Sequence, residues 1–480
     1  MKNSDTNGLD FFYSLMTLEN EFQDFNTFLS WFNAKAQNNK FIVEEIPFEF
    51  FDSWYFEHET KNLRHSTGKF FSIEGINVNT NFGLKQKWEQ PVIIQPEIGI
   101  LGIITKVFKG IHYFLMQAKM EPGNVNLVQL SPTVQATKSN YTKVHNGKLP
   151  KYLEYFTDSS RSKILIDQLQ TEQGGRFLKK RNRNMVVQVY DSIPVEEDFV
   201  WLTLGQIRMA LSMDNIVNMD SRSVLATIPI INVDRIPGFI NSSSYSICLE
   251  FMRNTSPYAK EIFESAISME NSLLSFDQVL SWITKMKSIY ELSVTRIPLC
   301  NVVDWCFTDY SIKHESKPFF SVIAVKVQAG NREVIQWTQP LLKENNLGLL
   351  GFIVKKINGV LHFLVQAKVE PGSFDTVDLA PTVSCSNYSQ VLKSSERPPF
   401  LEFFENPIRE SILFSTIQSE EGGRFFHFQN LNMIIQVEED NVIEVPDNYT
   451  WLTLAQLMKL IRFGFLNIES RSLISSFSLL

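Results

Sequence analysis

Two stretches of the chain alternate in the same way. Residues 114–124 read FLMQAKMEPGN and residues 363–373 read FLVQAKVEPGS. Successive side chains of a strand point to opposite faces. Met116, Ala118 and Met120 therefore form an apolar face, with Gln117, Lys119 and Glu121 on the other. The second copy sets Val365, Ala367 and Val369 against Gln366, Lys368 and Glu370. The apolar face predicts core; the polar face fits a solvated surface or a ligand site equally well. Residues 102–119 predict a β-hairpin with Lys109-Gly110 at the turn, and its second copy carries Asn358-Gly359, a strong type I′ pair. FNTFLSWFNAKA predicts an amphipathic helix, and NMVVQVY and NMIIQVEE predict later strands. Thr203 with Gln206, and Thr453 with Gln456, have capping-box spacing and should each open a helix. Strands mixed with few helices predict an α+β architecture.

The recurrence is general. Ser30-Trp31 and Ser281-Trp282, His65 and His314, Trp88 and Trp337, and Glu121 and Glu370 recur at offsets near 250. EQGGRF and EEGGRF, WLTLGQ and WLTLAQ, and NMDSRS and NIESRS do the same. So long a period predicts two copies of a whole domain rather than a solenoid. Residues 1–228 form the expected first repeat, 229–277 a linker with a helix near 259–274, and 278–480 the second repeat. RIPGFINSSSYS reads as the turn-rich boundary between them.

Length of 480 residues with 44% hydrophobic and 20% charged content suits a multidomain globular protein. A net charge of -7 argues against a general nucleic-acid surface, which needs clustered cations. Four cysteines with no CxxC pair suggest neither a disulfide framework nor a zinc site, and fit a reducing compartment. The N-terminus lacks an apolar signal core and no apolar run nears ~18 residues, so a soluble cytoplasmic protein without a membrane partner is expected.

Candidate chemistry clusters after the Gln/Lys/Glu strand. Residues 129–148 are rich in hydroxyls and amides and poor in large apolar groups, as a ligand loop would be. Gln117 of the strand and Asn124 of the turn, with Gln129, Ser131, Thr133, Gln135, Thr137, Lys138 and Asn140 of this loop, are candidate substrate-binding groups. Next, Gly174-Gly175 would let the backbone approach something closely. Gln173, Arg176, Lys180, Arg181 and Arg183 surround it, within a run of cations that reads as a solvated face or as a diphosphate clamp. His65 reads as a structural histidine or a base, and His145 sits in the polar loop. The common phosphate-loop, dinucleotide, zinc-protease and nucleophile-elbow motifs do not occur, and no His/carboxylate spacing suggests a metal.

The segments LMQAKMEPGNVNLVQLSPTVQATKSNYTKVHNG, QTEQGGRFLKKRNRNMVV, WLTLGQ and NMDSRS resemble the NDP-hexose 2,3-dehydratase family over nearly the whole chain. That resemblance implies a homodimer whose subunits each hold two Nudix-like domains, that is, a tandem duplication of a mixed-sheet α/β/α unit. It also implies action on a dTDP-4-keto-6-deoxyhexose. The chain carries Arg176 where one common family variant has Trp. It lacks the Nudix RExxEE metal signature, which counts against a metal-dependent nucleotide-sugar hydrolase; a non-catalytic sugar-nucleotide binder is the third alternative.

The implied chemistry needs neither a redox cofactor nor a metal. A C4 ketone acidifies the C3 hydrogen, a base removes it, an acid assists departure of the C2 hydroxyl, and the enol tautomerises to a 3,4-diketone. Glu121, Lys119, His65, Tyr141 and His145 are the available catalytic groups. When the repeats are aligned at Asn184 and Asn432, Lys179, Lys180, Arg181 and Arg183 face His427, Phe428, Gln429 and Leu431. The cationic run is thus missing from the second repeat, and the first is expected to be the catalytic copy.

Overall fold

In the computed structural model, residues 10–38, 40–137, 149–229, 231, 240, 243–256, 258–316, 319–330, 336–344, 346–392 and 397–478 are described. The predicted hairpin forms from Gly99–Phe108 and Ile111–Met120, turning through Lys109 and Gly110 at φ 48° and 85°. Its counterpart, Gly348–Ile357 with Val360–Lys368, turns through Asn358 and Gly359 at 54° and 76°. Both turns hold two consecutive left-handed residues, the type I′ requirement. Each hairpin is the centre of a seven-stranded mixed sheet. In repeat one, Arg181–Gln188 runs parallel to Gly99–Phe108 and antiparallel to Lys163–Thr171. Gln429–Val437 and Ile412–Ser419 take these places in repeat two. The result is an α+β fold built twice.

The longer helices close one face of each sheet, and the short helices Glu154–Thr157 and Leu401–Phe404 pack on the other. Phe25–Asn38 is the predicted opening helix. Thr203 and Thr453 make the expected capping boxes with Gln206 and Gln456, opening Leu204–Leu211 and Leu454–Ile461. The helix expected near 259–274 is shorter, Ala259–Ile267. It stops where Ser268 takes extended backbone, φ -98° and ψ 107°; the Ser268 carbonyl accepts the Thr453 hydroxyl at 2.9 Å, as that of Thr17 accepts Thr203 at 2.6 Å in repeat one. Ala259–Ile267 therefore makes in repeat two the contacts that Asp10–Met16 makes in repeat one. Much of the stretch read as the boundary lies outside the described residues, and its last residues begin the helix Ser243–Thr255. Among the described residues no helix is long and apolar enough to cross a membrane.

The two smaller sheets show how the repeats are joined. Phe41–Ile46 of repeat one pairs with Ser321–Ala329 of repeat two. Reciprocally, Leu292–Ile297 pairs with Ser72–Thr80. Each repeat thus lends a strand to the other. Beneath the exchange, Trp54, Phe71, Ile93 and Phe177 share one buried cluster with Trp305, Phe320, Leu342 and Phe425. Phe177 and Phe425, from the two glycine motifs, meet at 6.0 Å between ring centroids.

Candidate active site

The strand Ile111–Met120 is buried on both faces up to Met116 and alternates only beyond it. Lys119 and Glu121 therefore emerge together at its end, where their side chains are only 19% and 7% exposed. Lys119 Nζ lies 3.0 Å from Glu121 Oε1, and Gln135 Nε2 donates to the same oxygen at 3.0 Å. The polar face of this strand is not a solvated one. Oε2 of Glu121 is buried with no hydrogen-bond partner among the described residues. An uncompensated buried carboxylate oxygen is costly and points to a further donor, water or ligand, at this place.

The close approach that the glycine pairs allow is to the opposite repeat. Gly123, in the turn after Glu121, donates its amide to the Gly422 carbonyl at 2.7 Å, and His427 donates to the Gly123 carbonyl at 2.9 Å. Gly372 repeats this with Gly174 at 2.6 Å and Lys179 at 2.9 Å. Each glycine loop therefore leaves its own sheet and delivers its tip to the other repeat's Lys/Glu pair. Gln173 and Arg176 consequently join the second pair, Lys368 and Glu370, which are 2.9 Å apart. Gln173 donates to Glu420, and Arg176 pairs with Glu344 and stacks on Phe320 at 4.2 Å. Glu421 and Arg424 make the opposite crossing, towards Lys119 and Glu121.

Other expected binding groups are spread out. Lys180 turns inward and donates to the Glu97 carbonyl beside the first site, whereas Arg181 stacks on Phe374 at 3.6 Å. Arg183 holds Asp167 through two bonds, at 2.7 and 2.5 Å, on the strand surface. Alternation turns Lys180 away from Arg181 and Arg183, and these two are held by different partners, Phe374 and Asp167, so the structure does not gather the three cations into one cluster. Gln129 reaches across to Ser419 at 2.6 Å, and Ser131 donates to Gln135 at 3.1 Å. Asn124 folds back onto the Leu127 carbonyl at 3.0 Å, shaping the turn. Thr133 binds the Leu115 carbonyl within the sheet, Gln117 lies opposite Ser131 and Phe199, and Thr137 follows the strand Val134–Ala136. His65 bonds Thr67 at 2.9 Å and packs on Trp54 and Phe70. Lys138, Asn140, Tyr141 and His145 lie outside the described residues.

Three carboxyls that the sequence reading passed over complete the first site. Glu172 accepts from Asn182 at 2.6 Å, and burial, reinforced by Glu421, pushes it up to about 7. Burial also raises Asp220 well above its ordinary value, with Glu421, Glu172 and Glu121 adding to the shift. Glu421 is raised by burial too, against the opposing charge of Arg424. Asp220 stands in NMDSRS and Glu421 in EEGGRF, so both were visible as repeat markers; only the strand exchange shows that they meet. Among the described residues, no group of three or more His, Cys, Asp or Glu is arranged to hold a metal ion. Two open clefts, of about 590 and 550 Å³, are lined by no residue of this cluster.

At the centre, Arg222 Nε donates to Ser472 at 2.8 Å and Arg471 Nε to Ser223 at 3.3 Å. Arg222 also binds the Ser419 carbonyl at 2.6 Å, and Arg471 the Thr171 carbonyl at 2.5 Å. Each arginine is fully buried and ties its own repeat to the strand that feeds the other's glycine loop.

The geometry therefore gives two pseudo-equivalent clusters at the seam, each a candidate site. The family model described as NDP-hexose 2,3-dehydratase matches residues 25–228 and again 276–477. The chain belongs to the NDP-hexose 2,3-dehydratase family. A dTDP-4-dehydro-6-deoxy-alpha-D-glucopyranose 2,3-dehydratase of Saccharopolyspora spinosa is 45% identical over 452 residues, covering 94% of this chain and 90% of that protein. The enzyme of the same name from Amycolatopsis orientalis is 44% identical, covering 93% and 88%. That of Streptomyces violaceoruber is 39% identical, covering 93% and 96%. As a member of the dehydratase family, the chain is an enzyme of the water-eliminating, lyase type.

Proposed function

We propose that the chain removes water across C2 and C3 of a dTDP-4-keto-6-deoxyhexose, giving a 3,4-diketo-2,6-dideoxyhexose for deoxysugar biosynthesis. The observation that carries the reading is the buried Lys119–Glu121 pair, closed by the other repeat, in a chain of the dehydratase family. Glu121 takes the C3 proton, and the electron pair moves into the C4 carbonyl as an enolate. Lys119, held beside it, supplies positive charge to that oxygen. Such acid–base help contributes ~10²–10⁴-fold, and a preorganised donor in a buried site adds to it.

Repeat one is the catalytic copy on this reading. Its site holds Lys180, where repeat two has Phe428. Arg424 there makes no ion pair among the described residues and is held by Gln95 at 3.3 Å, so it can meet an anionic substrate. Arg176 of the other site is already neutralised by Glu344. Each repeat is read as Nudix-like, supported by its mixed sheet with a parallel central pair and helices on both faces. A cytoplasmic homodimer is proposed with it; the free cysteines suit that compartment.

Incubation with dTDP-4-keto-6-deoxyglucose, followed by mass spectrometry, tests the function. The expected product is lighter by one water and keeps its diphosphate. Release of a sugar phosphate, or binding without any mass change, would overturn the reading.

A further inference from the structure

The two seam sites differ by an exchange of one carboxylate and one amide. In the second site, Glu344 pairs with Arg176 while Gln173 stands on the glycine loop. In the first, Gln95 holds Arg424 while Glu421 stands on the loop. The acid has moved from behind the arginine to the front of the site. There it faces Glu121 across Gly423: a β-carbon on that glycine would lie 2.7 Å from Glu421 Oε1 and 3.6 Å from Glu121 Oε1. Two carboxyls from different repeats thus flank one hydrogen-only patch of backbone, next to the unpartnered Oε2 of Glu121.

We propose that Glu421, supplied by the second repeat, is the general acid that protonates the departing C2 hydroxyl, opposite Glu121 as the base. The assignment rests on the dehydratase reading above. Glu121 takes the C3 proton, and the enolate collapses to form the C2–C3 double bond as the C2–O bond breaks. The departing oxygen takes the Glu421 proton and leaves as water. In the tautomerisation that follows, protonated Glu121 returns its proton to C2, and the C3 hydroxyl gives its proton to Glu421. Both carboxyls are then back in their starting states. A general acid must hold its proton at working pH. Burial and the nearby negative charge of Glu121 both act in that direction on Glu421. Glu121 is held by Lys119 at 3.0 Å, on the opposite side of the patch. The second site has an amide at the matching position and cannot deliver a proton this way.

Glu421→Gln separates the two half-reactions. Gln173 shows that an amide at the equivalent position fits the seam. In heavy water, the variant should still exchange the C3 hydrogen of the 4-keto substrate for deuterium at close to the wild-type rate, while water loss falls by ~10²–10⁴-fold. Glu421→Asp should show a smaller loss of elimination, again with exchange preserved. Wild-type elimination in either variant, or loss of exchange together with elimination, would overturn the assignment. Wild-type protein that neither exchanges nor eliminates would instead refute the dehydratase reading itself.

Discussion

The amide of Gly123 donates to the carbonyl of Gly422 across 2.7 Å, and this bond locks the turn after Glu121 onto the glycine loop of the other repeat. Its pseudo-symmetric mate joins Gly372 to Gly174 at 2.6 Å. The duplication is therefore more than two domains in series. Each repeat completes the other's site, because strands, arginines and glycine loops all cross the seam.

Gly123→Ala tests that dependence. A β-carbon there would strike the Phe425 carbonyl, a backbone atom with little freedom to yield. The variant should lose most turnover and unfold at a lower temperature, since overpacking typically costs ~1–3 kcal/mol. Wild-type turnover and melting in Gly123→Ala would show that the seam tolerates separation.

Arg424 and Arg176 should respond differently to the same change. Arg424→Met removes an arginine without an ion pair, so substrate KM should rise by roughly ten- to a hundredfold, the loss of one charge-assisted bond of ~1.5–3 kcal/mol. Arg176→Met instead strands Glu344, whose side chain is 6% exposed. Breaking such a buried pair costs ~3–5 kcal/mol of stability, with KM little altered. Steady-state kinetics and urea denaturation on both variants separate the effects.

Glu469 links stability to pH. Burial, reinforced by Glu370, raises its carboxyl to about 8, with Lys368 opposing and Glu420 adding. A group raised in the folded state stabilises the fold fully below its unfolded value near 4.5, and that stabilisation is lost as pH climbs through about 8. Glu469→Gln should therefore match the wild type near pH 4.5 and gain on it as pH rises, by up to ~1.4 kcal/mol per unit crossed. Melting temperatures measured across that range check the slope; parallel curves would contradict it.

Local pattern was legible in the sequence where a local rule governs. The I′ turns, the capping boxes at Thr203 and Thr453 and the alternation that pairs Lys119 with Glu121 all depend on residues a few positions apart. The seam was not legible. Nothing within residues 41–46 says that their partner is 321–329, because an alternating strand fits any complementary edge. For the same reason sequence order places Gln173 and Arg176 with Glu121, whereas the crossing loops bring Glu421 and Arg424 there instead. The difference between EQGGRF and EEGGRF was the available signal. Its meaning depends on knowing that the loops cross.

The central claim is that the seam site built on Lys119 and Glu121 carries out the elimination. The most direct measurement compares Glu121→Gln with Glu370→Gln, the same change at the two pseudo-equivalent positions, by following water loss from dTDP-4-keto-6-deoxyglucose. The account predicts turnover reduced by ~10²-fold or more in Glu121→Gln and close to wild type in Glu370→Gln. Near-normal turnover in Glu121→Gln with severe loss in Glu370→Gln would contradict it.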